Sequence, residues 1–277
     1  MTLCDFTLFH TKKCLDLFCS MQDQLNRTLK IKAVPKRIVS LVPSQTELLC
    51  DLGLKENIVG VTKFCVHPNN IGLNATIVGG TKLVHIDRIK ALQPDIILCN
   101  KEENTKNIVE ACEKVCEVHV SNIFTLEDSF ELIAQYGMLF NVEEKSANLI
   151  AELKTEFNSF KTFIQEKNSL KTLYFIWRLP WMVVGKHTFV DYLLQLNKFK
   201  NGMEEIRYPE ISLKKDNTIE LVLLSSEPYP FTETHKKELK KYYPKARILL
   251  VDGEMFSWYG SRLTKAFGYF KQLHEHL

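Results

Sequence analysis

The sequence predicts an α/β fold of two lobes with one long helix between them. Three observations predict it. From Arg37 to Phe140, short apolar runs alternate with amphipathic segments, the rhythm of parallel sheets covered on both faces. At 141–167 that rhythm gives way to a single uninterrupted helical stretch, and from Thr172 it resumes to the end. A chain of 277 residues, 45% hydrophobic and 25% charged, carries enough apolar surface for a core in each lobe.

In chain order, "RIVSLV" at 37–42 reads as a short buried strand. "PSQTELLCDLG" follows as a helix, with Ser44 and Glu47 spaced as a capping box and Gly53 at the position just past its end. "IVGVT" at 58–62 is the second strand, and "HIDRIKAL" is a short helix stopped by Pro94. "DIILCN" is a third strand, "ENTKNIVEACEKV" the helix behind it and "CEVHVS" the fourth strand. "TLEDSFELIAQYGMLF" is a helix capped by Thr125 with Asp128. In the long helix, Asn141 and Glu144 are placed to cap the start, and Ile150, Leu153, Phe157, Phe160 and Ile164 form one apolar stripe. Beyond it, "TLYFIW" is a strand, "VV" at 183–184 starts another, and "TFVDYLLQLN" is a helix. "IELVLLSS", the polar helix "TETHKKELKKYY", the strand "ARILLVDG" and the final helix "SRLTKAFGYFKQLHEHL" complete the chain. The expected boundaries are 21–140 for the first lobe, 141–168 for the connecting helix and 169–277 for the second lobe. Residues 1–20 are expected to be an extension outside the fold. Asp5, His10, Lys12, Lys13 and Asp16 break every apolar stretch there, so no secretion signal is read, and Met21 offers an alternative start.

The charge balance, 36 basic against 33 acidic residues, favours neither a nucleic-acid binder nor a polybasic membrane protein. No apolar run is long enough to cross a membrane as a helix. The eight cysteines show no CxxC spacing, and scattered thiols fit a reducing compartment. "VGGTK" lacks the spacing of a phosphate-binding loop, and no GxGxxG, GxSxG or HExxH occurs. Cys65 and His67 in "KFCVHP" suggest a thiol nucleophile, but no third group orients them, so no catalytic residue is assigned. His274 and His276 read as a frayed surface end.

The candidate site is read from strand ends, where parallel α/β folds place ligands. Pro43 and Ser44 follow the first strand, the loop with Phe64 and His67 follows the second, and Lys101 in "NKEEN" follows the third. All three tryptophans lie in two short segments, each with an arginine: Trp177, Arg178 and Trp181 in "FIWRLPWMVVG", and Trp258, Tyr259 and Arg262 in "DGEMFSWYGSR". Trp177 on an alternating strand suits either core or ligand contact. Trp181 after Pro180 suits a rim. Trp258, in a loop between strand and helix, is expected to stay accessible. Aromatic faces with cations beside them suit a flat, polarisable ligand.

"PKRIVSLVPSQTELLCDLG", "VGVTKFCVHP" and "VGGTKLVHIDRIKALQPDIILCNKEEN", with looser matches at "YPEIS" and "WYGSR", resemble the helical-backbone periplasmic substrate-binding proteins of ABC importers, within them the cobalamin-binding group. The resemblance implies two Rossmann-like lobes joined by the long helix, with ligand held between them and little hinge closure. It implies ligand contacts at Pro43, Ser44, Phe64, His67, Trp177, Arg178 and Trp258 to Arg262, with the tryptophans as stacking floor and Arg178 and Arg262 as clamps. It implies a bulky metal-chelate cargo (cobalamin, haem or a ferric siderophore), no resident cofactor or metal, no enzymatic activity, a monomer and an ABC permease as partner. Asp87 matches an acidic residue with which the family docks on its permease. Three departures stand out. Thr81, Lys82, Asn100 and Lys101 occupy places where cobalamin binders usually carry tryptophan; Lys214 stands where the second docking acid is expected; and no signal or lipobox is read, so the periplasmic location implied by the family meets a chain that reads as cytoplasmic. The same fold allows two other readings: a cytosolic carrier or enzyme for a corrinoid or tetrapyrrole, and a receptor for a first-row metal using His67, His85 and His187.

Overall fold

A computed structural model describes residues 21–277; the extension expected at 1–20 lies outside the described residues, as do Cys4, Cys14 and Cys19. The chain divides into two compact units. The N-terminal unit runs to Asn122 and includes Glu127–Ile150; the C-terminal unit comprises Ile123–Leu126 and Ala151–Leu277. The division falls inside the long helix.

The N-terminal unit is built on β1 (Ile38–Ser40), β2 (Ile58–Val61), β3 (Thr76–Ile77), β4 (Ile96–Asn100) and β5 (Glu117–Ser121). Their order is β3-β2-β1-β4-β5, and every neighbouring pair is parallel. The central strands are apolar without alternation because helices cover both faces; Ile38, Val39 and Ile96 to Cys99 are wholly buried. The helices are α1 (Pro43–Asp51), α2 (Ile71–Asn74), α3 (Ile86–Ala91), α4 (Lys106–Glu113) and α5 (Leu126–Phe140). Val39, Leu41, Ile97, Cys99, Val118 and Val120 pack with Ile89 and Ile108 in one core cluster.

Two capping expectations are corrected here. Val42, in extended backbone, is the N-cap of α1, and Pro43 takes the first helical turn. Proline suits that position because its missing N–H would have had no helical partner, so Ser44 and Glu47 lie inside the helix, buried. Asn141 has φ +55°, left-handed rather than the extended backbone of an N-cap. It follows the end of α5, and the next helix, α6, runs over Glu143–Ile164. Its 22 residues span about 33 Å. Gly53 does occupy its expected place after α1, at φ +80°.

The C-terminal unit contains β6 (Leu170–Trp177), β7 (Trp181–Val183), β8 (Phe199–Asn201), β9 (Glu210–Ile211), β10 (Leu221–Ser225) and β11 (Arg247–Val251). The order is β11-β10-β6-β7-β9, with β8 also paired to β6. β6 pairs in parallel with β10 and β8, and β10 with β11. β7 is antiparallel to both β6 and β9, so this sheet is mixed. The three residues between β6 and β7 are too few for a crossover and allow only a hairpin; Leu179 turns it at φ +66°. The helices are α7 (Phe189–Leu196), α8 (Glu233–Leu239), α9 (Gly253–Ser257) and α10 (Leu263–Glu275). One core cluster holds Phe175, Val222, Leu224, Leu239 and Ile248. Elsewhere in the unit Phe160 of α6 stacks on Phe267 at 5.6 Å, and Phe256 meets Phe270 at 4.8 Å. The apolar stripe read on the long helix is therefore a packing face: Leu153, Phe160 and Ile164 are buried.

His274 overturns the expectation of a frayed end. It is buried, its ring stacked on Phe199 at 4.9 Å and edge-on to Phe163 at 6.1 Å. Burial, with Lys167 nearby, pushes its pKa down to about 4. A histidine held neutral in the fold costs nothing above its unfolded pKa near 6.5 and destabilises as pH falls toward the folded value. Stability is expected to fall between about pH 6.5 and pH 4 by roughly 1–2 kcal/mol from this group, after solvent screening near the chain end. His274→Leu should flatten that stretch of a melting-temperature against pH profile.

Candidate functional site

In the N-terminal unit, β2 and β3 lie to one side of β1, while β4 and β5 lie to the other. The carboxyl ends of β1 and β4 therefore flank the point where strand order reverses, the place such sheets open a crevice. A buried polar network backs it. Gln45 Nε2 donates to Ser121 Oγ at 2.6 Å, and Tyr136 Oη donates to Gln45 Oε1 at 2.8 Å. Asn100 Nδ2 donates to Ser121 Oγ at 2.9 Å, while its Oδ1 accepts from the backbone of Glu102 at 2.8 Å. These bonds fix the turn after β4 in one shape, since any of these groups left unpaired would be costly.

The expected residues take different places around this frame. Pro43 and His67 are half-buried and Ser44 is buried, whereas Lys101 is exposed. Phe64 is 49% exposed, and the Lys63 ammonium sits 5.0 Å from its ring centre. A Cβ at Gly80 would lie 3.1 Å from Phe64 Cε2, so glycine there lets the ring lie close across the loop. Asp87 is fully exposed on α3, 3.8 Å from Lys90. Cys65 is buried. Its sulfur accepts from Thr46 Oγ1 at 3.1 Å, and burial raises its pKa. A thiol held in its protonated form is a structural group, not a nucleophile. All five cysteines among the described residues are free thiols.

In the C-terminal unit the two tryptophan segments fare differently. At the end of β6, Trp177 is 39% exposed and stands edge-on to Tyr229 at 5.7 Å. Trp181, half-buried on β7, stacks on Phe231 at 6.1 Å with 7° between the planes. The Arg178 guanidinium lies 5.5 Å from the Trp181 ring centre and pairs with Glu238 of α8 at 3.2 Å. Tyr229 Oη is 3.2 Å from His235 Nε2. Trp177, Arg178 and Trp181 thus belong to one aromatic cluster that Tyr229, Phe231, His235 and Glu238 complete. Sequence reading missed those four; the signal was "PYPFTETHKKEL" following the strand "IELVLLSS".

Trp258 is corrected from accessible to buried, as are Tyr259 and Arg262. "GEMFS" forms the short helix α9, which turns Trp258 inward. Its Nε1 donates to Glu227 Oε1 at 3.1 Å, and Arg262 lies 4.8 Å over its ring. Arg262 also pairs with Glu254 at 3.2 Å. Ser257 Oγ donates to the same Glu227 oxygen at 2.9 Å. Burial, more than these bonds can offset, raises the Glu227 pKa. This second segment frames the carboxyl ends of β10 and β11, while the first presents a ring to solvent. Of the two arginines read as clamps, Arg262 is buried in this framework.

The chain is 28% identical over 195 residues to an uncharacterized ABC transporter substrate-binding lipoprotein, YvrC, of Bacillus subtilis, across 66% of this chain and 60% of that protein. It is 23% identical over 188 residues to the vitamin B12-binding protein of Vibrio campbellii, across 65% of this chain and 66% of that protein. The match thus spans a little under two thirds of these relatives' lengths. Among solved structures, a periplasmic heme binding protein from Pseudomonas aeruginosa superposes with a TM-score of 0.75 at 19% identity, over 86% of this chain and 92% of the other. The periplasmic vitamin B12 binding protein BtuF of Vibrio cholerae gives 0.74 at 15% identity, over 88% and 99%. Both bear out the α/β, helical-backbone fold read from the sequence. The periplasmic binding protein family model matches residues 38–216, well over half the chain, and this chain belongs to that family.

Proposed function

We propose that this protein is the substrate-binding component of an ABC-type importer, and that it captures a bulky metal-chelate ligand of the corrinoid, haem or ferric-siderophore type. The observation that carries the reading is the aromatic cluster at the end of β6, where Trp177 remains 39% exposed beside Tyr229. A large indole left in water at a strand end, in a unit whose other described tryptophan, tyrosine and phenylalanine rings are buried or half-buried, suits a ligand with a flat apolar face. In the N-terminal unit, Phe64 at 49% exposure offers a second such ring. Family membership and the relatives' names support the same reading, and those names describe binding proteins rather than enzymes. The protein binds its cargo as a monomer outside the inner membrane. Among the described residues no helix is long and apolar enough to cross a membrane. Asp87, exposed on α3, is the permease-docking residue of the N-terminal unit. Lys214, exposed, gives the other unit a contact of opposite charge.

Trp177→Ala is expected to weaken ligand binding about fivefold to tenfold, the worth of one aromatic contact, while the melting temperature stays near that of the parent. An unchanged affinity would remove Trp177 from the site.

A further inference from the structure

We propose that the N-terminal unit selects for a flat, apolar chelate bearing carboxylates, a tetrapyrrole dicarboxylate, over an uncharged corrinoid. This rests on the binding role proposed above and assigns its cargo class.

The observation is a contiguous surface at the carboxyl ends of β2, β3 and β4 that joins exposed apolar groups to three lysines. Lys63 N–H donates to Gly79 O at 2.8 Å, which ties the β2 loop to the Gly79–Gly80 turn. Phe64 lies against Gly80 in that turn. Two residues on, Lys82 Nζ donates to the carbonyl of Glu102 at 2.6 Å, and Asn104 Nδ2 donates to Thr81 O at 3.0 Å. These bonds bring the turn after β3 against the turn after β4, which carries Lys101. Lys63, Lys82 and Lys101 therefore line one surface, and Phe64, Val66 and Leu83 on it are 49%, 49% and 74% exposed.

The partners of the lysines are neutral. Lys63 faces an aromatic ring and Lys82 a carbonyl. Among the described residues no carboxylate stands within ion-pair distance of any of the three. Glu102 and Glu103, in the same turn, are half-buried. Glu103 is close enough to Cys65 to add, after burial, to the rise in its thiol pKa. Glu102 and Glu103 are thus less accessible than Lys63, Lys82 and Lys101, which are exposed. A surface of this kind attracts an anion, while its one exposed ring and two aliphatic side chains favour an apolar body. Haemin carries both features. Cyanocobalamin has no net charge and a rim of amides, and would leave the lysines without counter-charges.

The test is an absorbance titration of the full chain and of the triple variant Lys63→Met, Lys82→Met, Lys101→Met, with folding checked by circular dichroism. The probes are haemin, its dimethyl ester and cyanocobalamin. The parent is expected to bind haemin one to one and at least about tenfold more tightly than cyanocobalamin. The triple variant should lose about tenfold or more for haemin, about twofold to threefold per lysine, and little for the ester. Added salt should narrow the difference. Haemin affinity equal in parent and variant, or cyanocobalamin bound more tightly than haemin, would overturn the selectivity and leave the binding role intact. A folded protein that binds neither of these, nor a ferric siderophore, would remove the binding role and this inference with it.

Discussion

Replacing Trp258 with alanine is expected to destabilise the C-terminal unit by about 3–5 kcal/mol, the cost of deleting a buried indole. The ring is 6% exposed, donates to Glu227 at 3.1 Å and underlies the buried Arg262 guanidinium at 4.8 Å. Alanine would empty the ring's volume and also strip the buried Arg262 and the half-buried Glu227 of a partner, which adds to the cavity cost. Trp258→Phe keeps most of the packing and loses the N–H, so about 1–2 kcal/mol is expected. Urea denaturation measures both, with the two units allowed separate transitions. The contrast with Trp177 is the informative part. One tryptophan should report on stability and the other on affinity. A Trp258→Ala variant as stable as the parent but weaker in binding would reverse that assignment.

A loss of similar size is expected in the N-terminal unit for Asp23→Ala, about 3–5 kcal/mol for a buried charge network broken from one side. The Asp23 side chain has no exposed surface. It accepts from the backbone of Leu25 at 2.9 Å, Arg27 at 3.0 Å and Val120 at 3.1 Å, and from Arg27 Nε at 2.8 Å. Arg27 reaches on to Glu113 and to the carbonyl of Val118. This one carboxylate joins the turn at 22–28 to the edge strand β5. Without it, three N–H groups and a guanidinium lose their acceptor. Asp23→Asn keeps one acceptor oxygen, and a loss of about 1–2 kcal/mol is expected. The same denaturation experiment reads it, now in the transition of the other unit.

Much of this was legible in the sequence because its causes are local. β1 and β4 are mostly apolar runs between turn signals, each ending in a polar residue, Ser40 and Asn100, and α6 shows its stripe from Leu153 to Ile164. Gly53 marks a helix end through its own backbone freedom. What escaped reading depends on partners far along the chain. β3, β8 and β9 hold two or three residues each, too few to show a period, and exist because a neighbouring strand pairs with them. Ser44 looked like a cap because its spacing to Glu47 is right, but Pro43 takes the first turn. His274 looked frayed because it is three residues from the end; Phe199 and Phe163 bury it. Trp258 looked accessible because it follows a strand, and Glu227 and Arg262 turn it inward. The aromatic cluster was half visible. Trp177, Arg178 and Trp181 stand together in sequence, whereas Tyr229, Phe231 and His235 join them only through the pairing of β6 with β10.

Whether this chain captures a metal chelate through rings and cations at its strand ends is decided by isothermal titration calorimetry of the full chain with haemin, cyanocobalamin and a ferric siderophore. Saturable one-to-one binding at micromolar affinity or tighter is expected for at least one of the three, weakened by Trp177→Ala. A folded protein that gives no binding heat with any of them would rule out the capture of such a chelate.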